Sequence, residues 1–174
     1  MDELKKRKDI RLKGFDYSKT GSYFITICTQ DRKNLFWNGG IDTEKFKWIY
    51  EGHNRVRPKN LPLSSIGNTV LEELEKWNDS YDTVSLHTYV IMPNHIHLMV
   101  IIYADECGRP QEAPAIDRMV KQFKGAVTKK LGISIWQKSY IDHVIRNKDD
   151  FETRVKYIYE NPIRWFYDEM YSEV

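Results

Sequence analysis

The chain has 174 residues, of which 41% are hydrophobic and 13% aromatic, so its length and composition suit one compact domain and exclude a largely disordered protein. Its formal net charge of +2 is too small to indicate a nucleic-acid partner by itself. No apolar run approaches the roughly 18 residues that span a bilayer, and the charged start does not resemble a signal peptide. We therefore expect a single domain over residues 1–174 with no membrane partner.

The two cysteines indicate the compartment. Cys28 and Cys107 lack the spacing of metal ligands, and Cys28 lies within an apolar run. A buried free thiol is the simplest interpretation of Cys28. Free thiols are typical of a reducing environment, so we expect a cytoplasmic protein.

Basic residues are concentrated in two segments. Residues 1–14 form a basic N-terminal arm, and a second group lies at Arg118, Lys121, Lys124, Lys129 and Lys130. Such clusters can contact phosphates, but an ordinary solvated tail and helix face have the same composition.

The first half of the chain contains one clear strand and one clear helix. Residues 23–29 are rich in β-branched and aromatic side chains, which predicts a strand. Residues 66–77 carry apolar side chains at helical spacing. The stretch 37–65 between them carries no motif that we can place.

The second half predicts a hairpin followed by two helices. Residues 84–91 and 95–102 read as strands, and the short link Met92-Pro93-Asn94 makes them an antiparallel pair. A helix is predicted over 116–131, then a short edge strand within 133–146. A last helix begins after the N-cap Asn147 and ends near Asn161, because Pro162 disfavours helical geometry in the preceding residue. This order predicts an α+β, ferredoxin-like fold, with an antiparallel sheet and helices packed mainly on one face.

His95-Ile96-His97 is the first chemical signal in the chain. Side chains alternate along a strand, so the two imidazoles share one face and are suited to bind one metal ion. A pair of hydrogen-bonded histidines at a strand edge would give the same pattern. The motif therefore needs a third ligand and a reacting group before it indicates a site.

The last helix offers both. With roughly 100° per residue, its side chains divide into two groups. The predicted buried stripe consists of Phe151, Val155, Ile158 and Tyr159. The opposite face carries Asp150, Arg154, Tyr157 and Asn161. Tyr157 is thus a candidate nucleophile, with the amide of Asn161 one turn away. Tyr157 as an ordinary exposed aromatic remains the alternative.

Three sequence blocks carry a family resemblance. Residues 92–98 (MPNHIHL), 136–146 (WQKSYIDHVIR) and 157–162 (YIYENP) resemble the hallmark blocks of the REP-associated tyrosine transposases. These enzymes form a single-tyrosine branch of the HUH nuclease superfamily, named for its His-hydrophobic-His motif. The starts at 11–17 (RLKGFDY) and 21–26 (GSYFIT) are also similar. The likeness runs in order along nearly the whole chain.

The resemblance implies a mechanism. His95, His97 and Asn161 would bind Mg²⁺ or Mn²⁺, and Tyr157 would attack single-stranded DNA next to a hairpin, often an extragenic repeat. The product would be a 5′-phosphotyrosine link and a free 3′-hydroxyl that can reverse the step. Imidazole ligands are unusual for Mg²⁺, so we expect Mn²⁺ to support activity at least as well.

The resemblance also suggests DNA contacts and a cellular setting. Trp136 and Tyr140 are candidates to stack on unpaired bases, although buried aromatics at a loop are an alternative. The remaining candidate DNA-binding residues are Arg11, Lys13, Lys121, Lys124, Gln137, His143, Arg146 and Arg154. We expect a monomer or homodimer associated with the nucleoid.

Two other functions remain open. A catalytically retired hairpin-DNA-binding protein would have no chemical reason to retain His95, His97, Tyr157 and Asn161 together. A metal-dependent phosphodiesterase that uses water as its nucleophile would not need Tyr157.

Overall fold

The computed structural model describes residues 19–40, 48–51, 55–58, 61–104 and 116–171. The predicted basic arm at 1–14, with Arg11 and Lys13, lies outside these residues, as does Cys107.

Within the described residues, six strands form one sheet, in the order β2-β3-β4-β5-β1-β6. They are β1 (Gly21–Cys28), β2 (Trp48–Glu51), β3 (Arg55–Pro58), β4 (Val84–Ile91), β5 (His95–Ile102) and β6 (Ile141–Val144). The four neighbours β4-β5-β1-β6 are antiparallel throughout. The β2–β3 hairpin extends the sheet through a parallel contact between β3 and β4.

The part of the chain that the structure describes contains four α-helices beside the sheet: α1 (Ser65–Glu75), α2 (Trp77–Ser80), α3 (Ile116–Leu131) and α4 (Lys148–Glu160). Short 3-10 helices lie at Gln30–Arg32 and Trp165–Tyr167. With α1 between β1 and β4, and α3 between β5 and β6, the predicted α+β, ferredoxin-like fold is confirmed.

Most predicted elements match the observed ones. The bounds of β4, β5 and α3 coincide with the prediction. Asn147 caps α4, since its side chain accepts a hydrogen bond from the backbone N–H of Asp150 at 2.9 Å. The predicted edge strand is β6. The β2–β3 hairpin was not predicted, because residues 37–65 show no strand or turn pattern strong enough to define it.

The two faces of the central sheet differ in character. Alternation along β5 places His95 and His97 on the face against which α4 packs. The opposite face presents Ile96, Leu98 and Val100, all fully buried. The apolar stripes of α1 and α3 belong to the same core cluster. The polar pair on β5 is therefore sandwiched between the sheet and α4.

A close backbone approach positions α1. Ser64 caps the helix by accepting from the N–H of Gly67 at 3.0 Å, and its hydroxyl donates to the carbonyl of Leu35 at 2.6 Å. A Cβ on Gly67 would lie 2.2 Å from the carbonyl oxygen of Phe36. Only glycine fits at this position. The close contact lets α1 pack directly against the backbone of the segment after β1.

Two sequence-based expectations, a buried free thiol at Cys28 and the lack of a membrane-spanning segment, concern residues that the structure describes. Cys28 is buried and its thiol is free, as predicted. Across the described part of the chain, every helix is too short or too polar to cross a membrane.

Candidate active site

The two histidines of β5 form the centre of the site. Both side chains are buried, and their Nε2 atoms lie 3.0 Å apart. Their rings meet edge to face, with centroids separated by 4.5 Å. The predicted common face of His95 and His97 is therefore present, and both Nε2 atoms point to one place.

Each outer ring nitrogen has a fixed partner. Nδ1 of His95 lies 2.8 Å from Oδ1 of Asn94, and Nδ1 of His97 lies 2.8 Å from the hydroxyl of Thr26. Because Oδ1 of Asn94 can only accept, His95 carries its proton on Nδ1, and its Nε2 carries the lone pair. Partners of this kind fix ring orientation and tautomer in metal sites.

The two rings also form a proton chain. In the ion-free arrangement Thr26 donates to Nδ1 of His97, and Nε2–H of His97 donates to Nε2 of His95. A threonine hydroxyl can equally accept a hydrogen bond. If His97 moves its proton to Nδ1, both Nε2 lone pairs become available to one cation. Thr26 allows this change without moving a side chain.

Burial keeps both imidazoles neutral. Desolvation, with a smaller effect from the charge of Arg32, lowers the pKa of His95 to about 3. Desolvation also holds the pKa of His97 well below its ordinary value, and the charge of His95 lowers it further. Neutral imidazole is the form that binds metals.

Helix α4 places Tyr157 directly against this pair. The Tyr157 ring lies 5.2 Å from the His97 ring and 6.0 Å from the Phe24 ring. Tyr157 remains 38% exposed. Burial, followed by the charge and hydrogen bond of Asp168, raises the pKa of Tyr157. The side chain of Tyr157, the candidate nucleophile, is therefore a neutral phenol.

Asp168 is a site residue that the sequence did not reveal. Its Oδ2 accepts hydrogen bonds from the Tyr157 hydroxyl at 3.0 Å and from Nδ2 of Asn161 at 2.8 Å. Ligand atoms of His95, His97 and Asp168 all lie within 4.8 Å of one another, which makes them a candidate metal site.

The donor set fits a divalent cation. Oδ1 of Asn161 is buried and has no hydrogen-bond partner among the described residues, so it is an unsatisfied oxygen ligand beside the cluster. Together with two neutral imidazoles and one carboxylate, it gives the mixed nitrogen and oxygen set that suits Mn²⁺ better than Mg²⁺.

The helical wheel was wrong about the environment of Asn161. It placed this residue on the face opposite the core, yet Asn161 is only 2% exposed. The reason is that the chain folds back after Pro162, and the segment leading to Asp168 covers that face of α4. Tyr157, on the same face, keeps its partial exposure.

Three of the predicted DNA-binding side chains are used within the protein. Trp136 packs against Phe36 and Phe123. Tyr140 is buried and donates to Asp117 at 2.7 Å. Nζ of Lys124 donates to the carbonyls of residues 137 and 139, both at 2.8 Å. Trp136 and Tyr140 are thus buried aromatics, which was the alternative to base stacking. DNA contact by Trp136, Tyr140 and Lys124 stays a prediction.

The other predicted DNA-binding residues that the structure describes lie nearer to solvent. Lys121 and Arg146 are exposed, and Gln137 is half-buried. His143 on β6 is paired with Asp150 of α4 at 2.8 Å. Arg154 of α4 lies over the Phe24 ring, 5.2 Å from its centroid, which places it beside Tyr157 and His97.

Comparisons with known proteins identify relatives of this chain. The chain is 30% identical to an uncharacterized protein of Haemophilus influenzae, over 96% of this chain and 94% of the relative. It is 28% identical to the REP-associated tyrosine transposase of Escherichia coli K12, over 85% of this chain and 70% of that protein. No protein-family model matches the chain.

One solved structure shares the fold. It is a REP-associated tyrosine transposase bound to a REP hairpin, and it superimposes with a TM-score of 0.59 at 19% identity. The match covers 91% of this chain and 76% of the other.

Proposed function

This chain belongs to the family of REP-associated tyrosine transposases, and we propose that it cleaves and rejoins single-stranded DNA through a covalent bond to Tyr157. One observation carries the proposal. The hydroxyl of Tyr157, the orphaned oxygen of Asn161 and the carboxylate of Asp168 meet beside the buried His95–His97 pair. A nucleophile next to a metal-binding donor set is the arrangement that phosphoryl transfer requires.

We propose that a divalent cation, Mg²⁺ or Mn²⁺, binds to His95, His97 and Asn161, with Asp168 as a further ligand. When bound, it would supply positive charge that polarises the scissile phosphate. Thr26 and Asn94 orient the two imidazoles, and the burial of these rings keeps them unprotonated.

The chemical step is a transesterification. The phenolic oxygen of Tyr157 bonds to phosphorus as the bond from phosphorus to the 3′ oxygen breaks. The phenolic proton passes to water, and the 3′ oxygen takes a proton from water. Because the phosphotyrosine keeps the energy of the broken bond, a 3′-hydroxyl can attack it and rejoin the strand without a nucleotide cofactor.

The proposed substrate is single-stranded DNA next to a hairpin-forming repeat. Family membership supports this proposal. The partial exposure of Tyr157 on the surface of α4 also supports it, because a long polymeric substrate has to reach this side chain from solvent. We further propose that the protein acts in the cytoplasm on nucleoid DNA. Tyr157 and both histidines come from one chain, so a monomer would contain a complete site.

A gel assay tests the proposal. Labelled hairpin oligonucleotides are incubated with Mn²⁺ or with a chelator and separated under denaturing conditions. We expect a metal-dependent band shifted by the mass of the protein, absent in Tyr157→Phe and retained in Tyr159→Phe. Cleavage without a shifted band, surviving in Tyr157→Phe, would identify water as the nucleophile. Binding without cleavage across a panel of hairpins would identify a retired enzyme.

A further inference from the structure

The two sides of Tyr157 differ in charge. Toward the C-terminus, the chain forms a cavity of about 290 Å³ whose wall includes the Tyr157 ring. Its charged lining consists of Glu160, Arg164, Asp168 and Glu169. The guanidinium of Arg164 is ion-paired with Glu160 at 3.3 Å. Because Glu160 is paired with Arg164 and Asp168 belongs to the candidate metal site, the further acidic group on this side is Glu169.

The other side of Tyr157 carries Arg154. It precedes the nucleophile by three residues on α4, so the two side chains are neighbours on the helix surface. The guanidinium carbon of Arg154 lies 5.2 Å from the centre of the Phe24 ring. That ring stacks on His97 at 5.0 Å and meets Tyr157 edge-on at 6.0 Å. The Phe24 ring therefore contacts Arg154, the candidate ligand His97 and the candidate nucleophile Tyr157.

The Arg154 side chain is 36% exposed, and its contacts among the described residues do not saturate its donors. Its Nε lies 3.7 Å from Oδ1 of Asp150, which is too long for a hydrogen bond. This Nε is buried and has no hydrogen-bond partner among the described residues. The other oxygen of Asp150 is bound to His143 at 2.8 Å. Asp150 therefore orients the guanidinium without saturating it.

We propose that Arg154 is a catalytic residue that donates hydrogen bonds to a non-bridging oxygen of the scissile phosphate. The inference rests on the proposed function and adds a role that the nucleophile and ligands do not supply. As the phenolic oxygen bonds to phosphorus and the 3′ oxygen leaves, Arg154 neutralises charge on the non-bridging oxygens from the Phe24 side of Tyr157. Arg154 keeps its proton throughout, because a guanidinium does not titrate in proteins.

The first test measures the rate of covalent product formation in a single turnover. We expect Arg154→Ala to lower this rate by about 100-fold, as for the loss of one preorganised donor to a developing oxyanion. Arg154→Lys should recover part of the loss, because charge is retained without the planar fork. Lys156→Ala is the matched control, since Lys156 is an exposed cation on the other side of α4. An unchanged rate in Arg154→Ala would overturn the proposal.

The second test is a binding cycle in a Tyr157→Phe background, where no covalent product forms. Affinity is measured for an oligonucleotide with a normal scissile phosphate and for one with a neutral methylphosphonate there. We expect the neutral group to weaken binding by about 10-fold more when Arg154 is present than in Arg154→Ala, because the charge-assisted hydrogen bond from Arg154 is lost only in the first case. A methylphosphonate two nucleotides away should show no such coupling.

The outcomes separate this inference from the proposed function. If Arg154→Ala weakens both oligonucleotides by the same factor, the arginine does not contact the scissile phosphate and the inference fails alone. If wild-type protein forms no covalent product, the proposed function fails, while the binding cycle still decides the contact. Circular dichroism establishes that each variant folds. If Arg154→Ala unfolds, Arg154→Lys replaces it in the comparison with the wild-type protein.

Discussion

The hydroxyl of Tyr157 donates a hydrogen bond to Oδ2 of Asp168 at 3.0 Å, and the same oxygen accepts from Nδ2 of Asn161 at 2.8 Å. One carboxylate thereby joins the candidate nucleophile to a candidate metal ligand. Eleven residues separate Tyr157 from Asp168. The contact forms because the chain turns back over α4 after Pro162.

Replacing Asp168 tests its part in metal binding. Asp168→Asn keeps the shape of the side chain and removes its charge, so we expect affinity for Mn²⁺ to fall by about 10- to 100-fold, the usual cost of disturbing the support of a metal site. Isothermal titration calorimetry measures the change. Glu169→Gln, at the adjacent exposed carboxylate, is the control and should bind as wild type does. An unchanged affinity in Asp168→Asn would restrict the ligands to His95, His97 and Asn161.

Thr26 provides a test of imidazole orientation. Thr26→Val preserves side-chain volume but leaves Nδ1 of His97 without its partner at 2.8 Å. We expect a loss of about 1–3 kcal/mol in the free energy of unfolding, since a buried polar atom is left unpaired. Mn²⁺ affinity should fall as well, because nothing then holds the metal-binding tautomer. Urea unfolding and metal titration check both effects. Thr69→Val, which removes an exposed hydrogen bond on α1, should change neither, and equal behaviour of the two variants would refute the role of Thr26.

The buried histidines predict how stability depends on pH in the metal-free protein. The pKa of His95 is lowered to about 3 and that of His97 is also strongly lowered, whereas the unfolded values lie near 6.5. Below pH 6.5 the unfolded chain therefore binds more protons than the folded one. Stability should fall with decreasing pH by about 1.4 kcal/mol per pH unit for each histidine.

Urea unfolding with a chelator present, at several pH values between 7.5 and 5, measures this slope. His143→Gln is the control, because His143 is partly exposed and paired with Asp150. His95→Gln should flatten the slope, since one of the two depressed groups is removed. A slope that is the same in His95→Gln and in wild type would show that other groups control acid stability.

Gly67 tests the attachment of α1 to the sheet. A Cβ at this position would lie 2.2 Å from the carbonyl oxygen of Phe36, so Gly67→Ala should destabilise the protein by about 1–3 kcal/mol. A Cβ on Gly125 in α3 would meet no atom within 4 Å, and Gly125→Ala should stabilise by roughly 0.5–1 kcal/mol. Thermal unfolding of both variants measures the difference. Shifts of the same sign would contradict the close approach.

Sequence patterns predicted much of the sheet and most helices because these elements have strong local signals. Alternation and the short link at residues 92–94 define β4 and β5, and the apolar period defines α3. The parallel contact of β3 with β4 had no such signal. It depends on Val56 meeting Thr88 across the sheet, which local periodicity does not encode.

The candidate site was predictable only where its residues share an element. The common face of His95 and His97 follows from strand geometry, and the proximity of Tyr157 and Asn161 follows from helix geometry. Asp168 lies in an irregular segment, and its approach depends on the turn after Pro162. Thr26 required the register of β1 on β5, in which it lies opposite His97. The pattern of residues within one helix or strand predicts neither the approach of Asp168 to α4 nor the pairing of Thr26 with His97.

Mass spectrometry of the covalent product tests the central claim most directly. Protein, Mn²⁺ and a short hairpin oligonucleotide are combined, the complex is digested with trypsin and nuclease, and the modified peptide is sequenced. We predict a nucleotide attached through a 5′-phosphate to Tyr157, with Tyr159 on the same peptide unmodified. A nucleotide on Tyr159, or cleaved DNA with every tyrosine unmodified, would contradict the assignment of Tyr157 as the nucleophile.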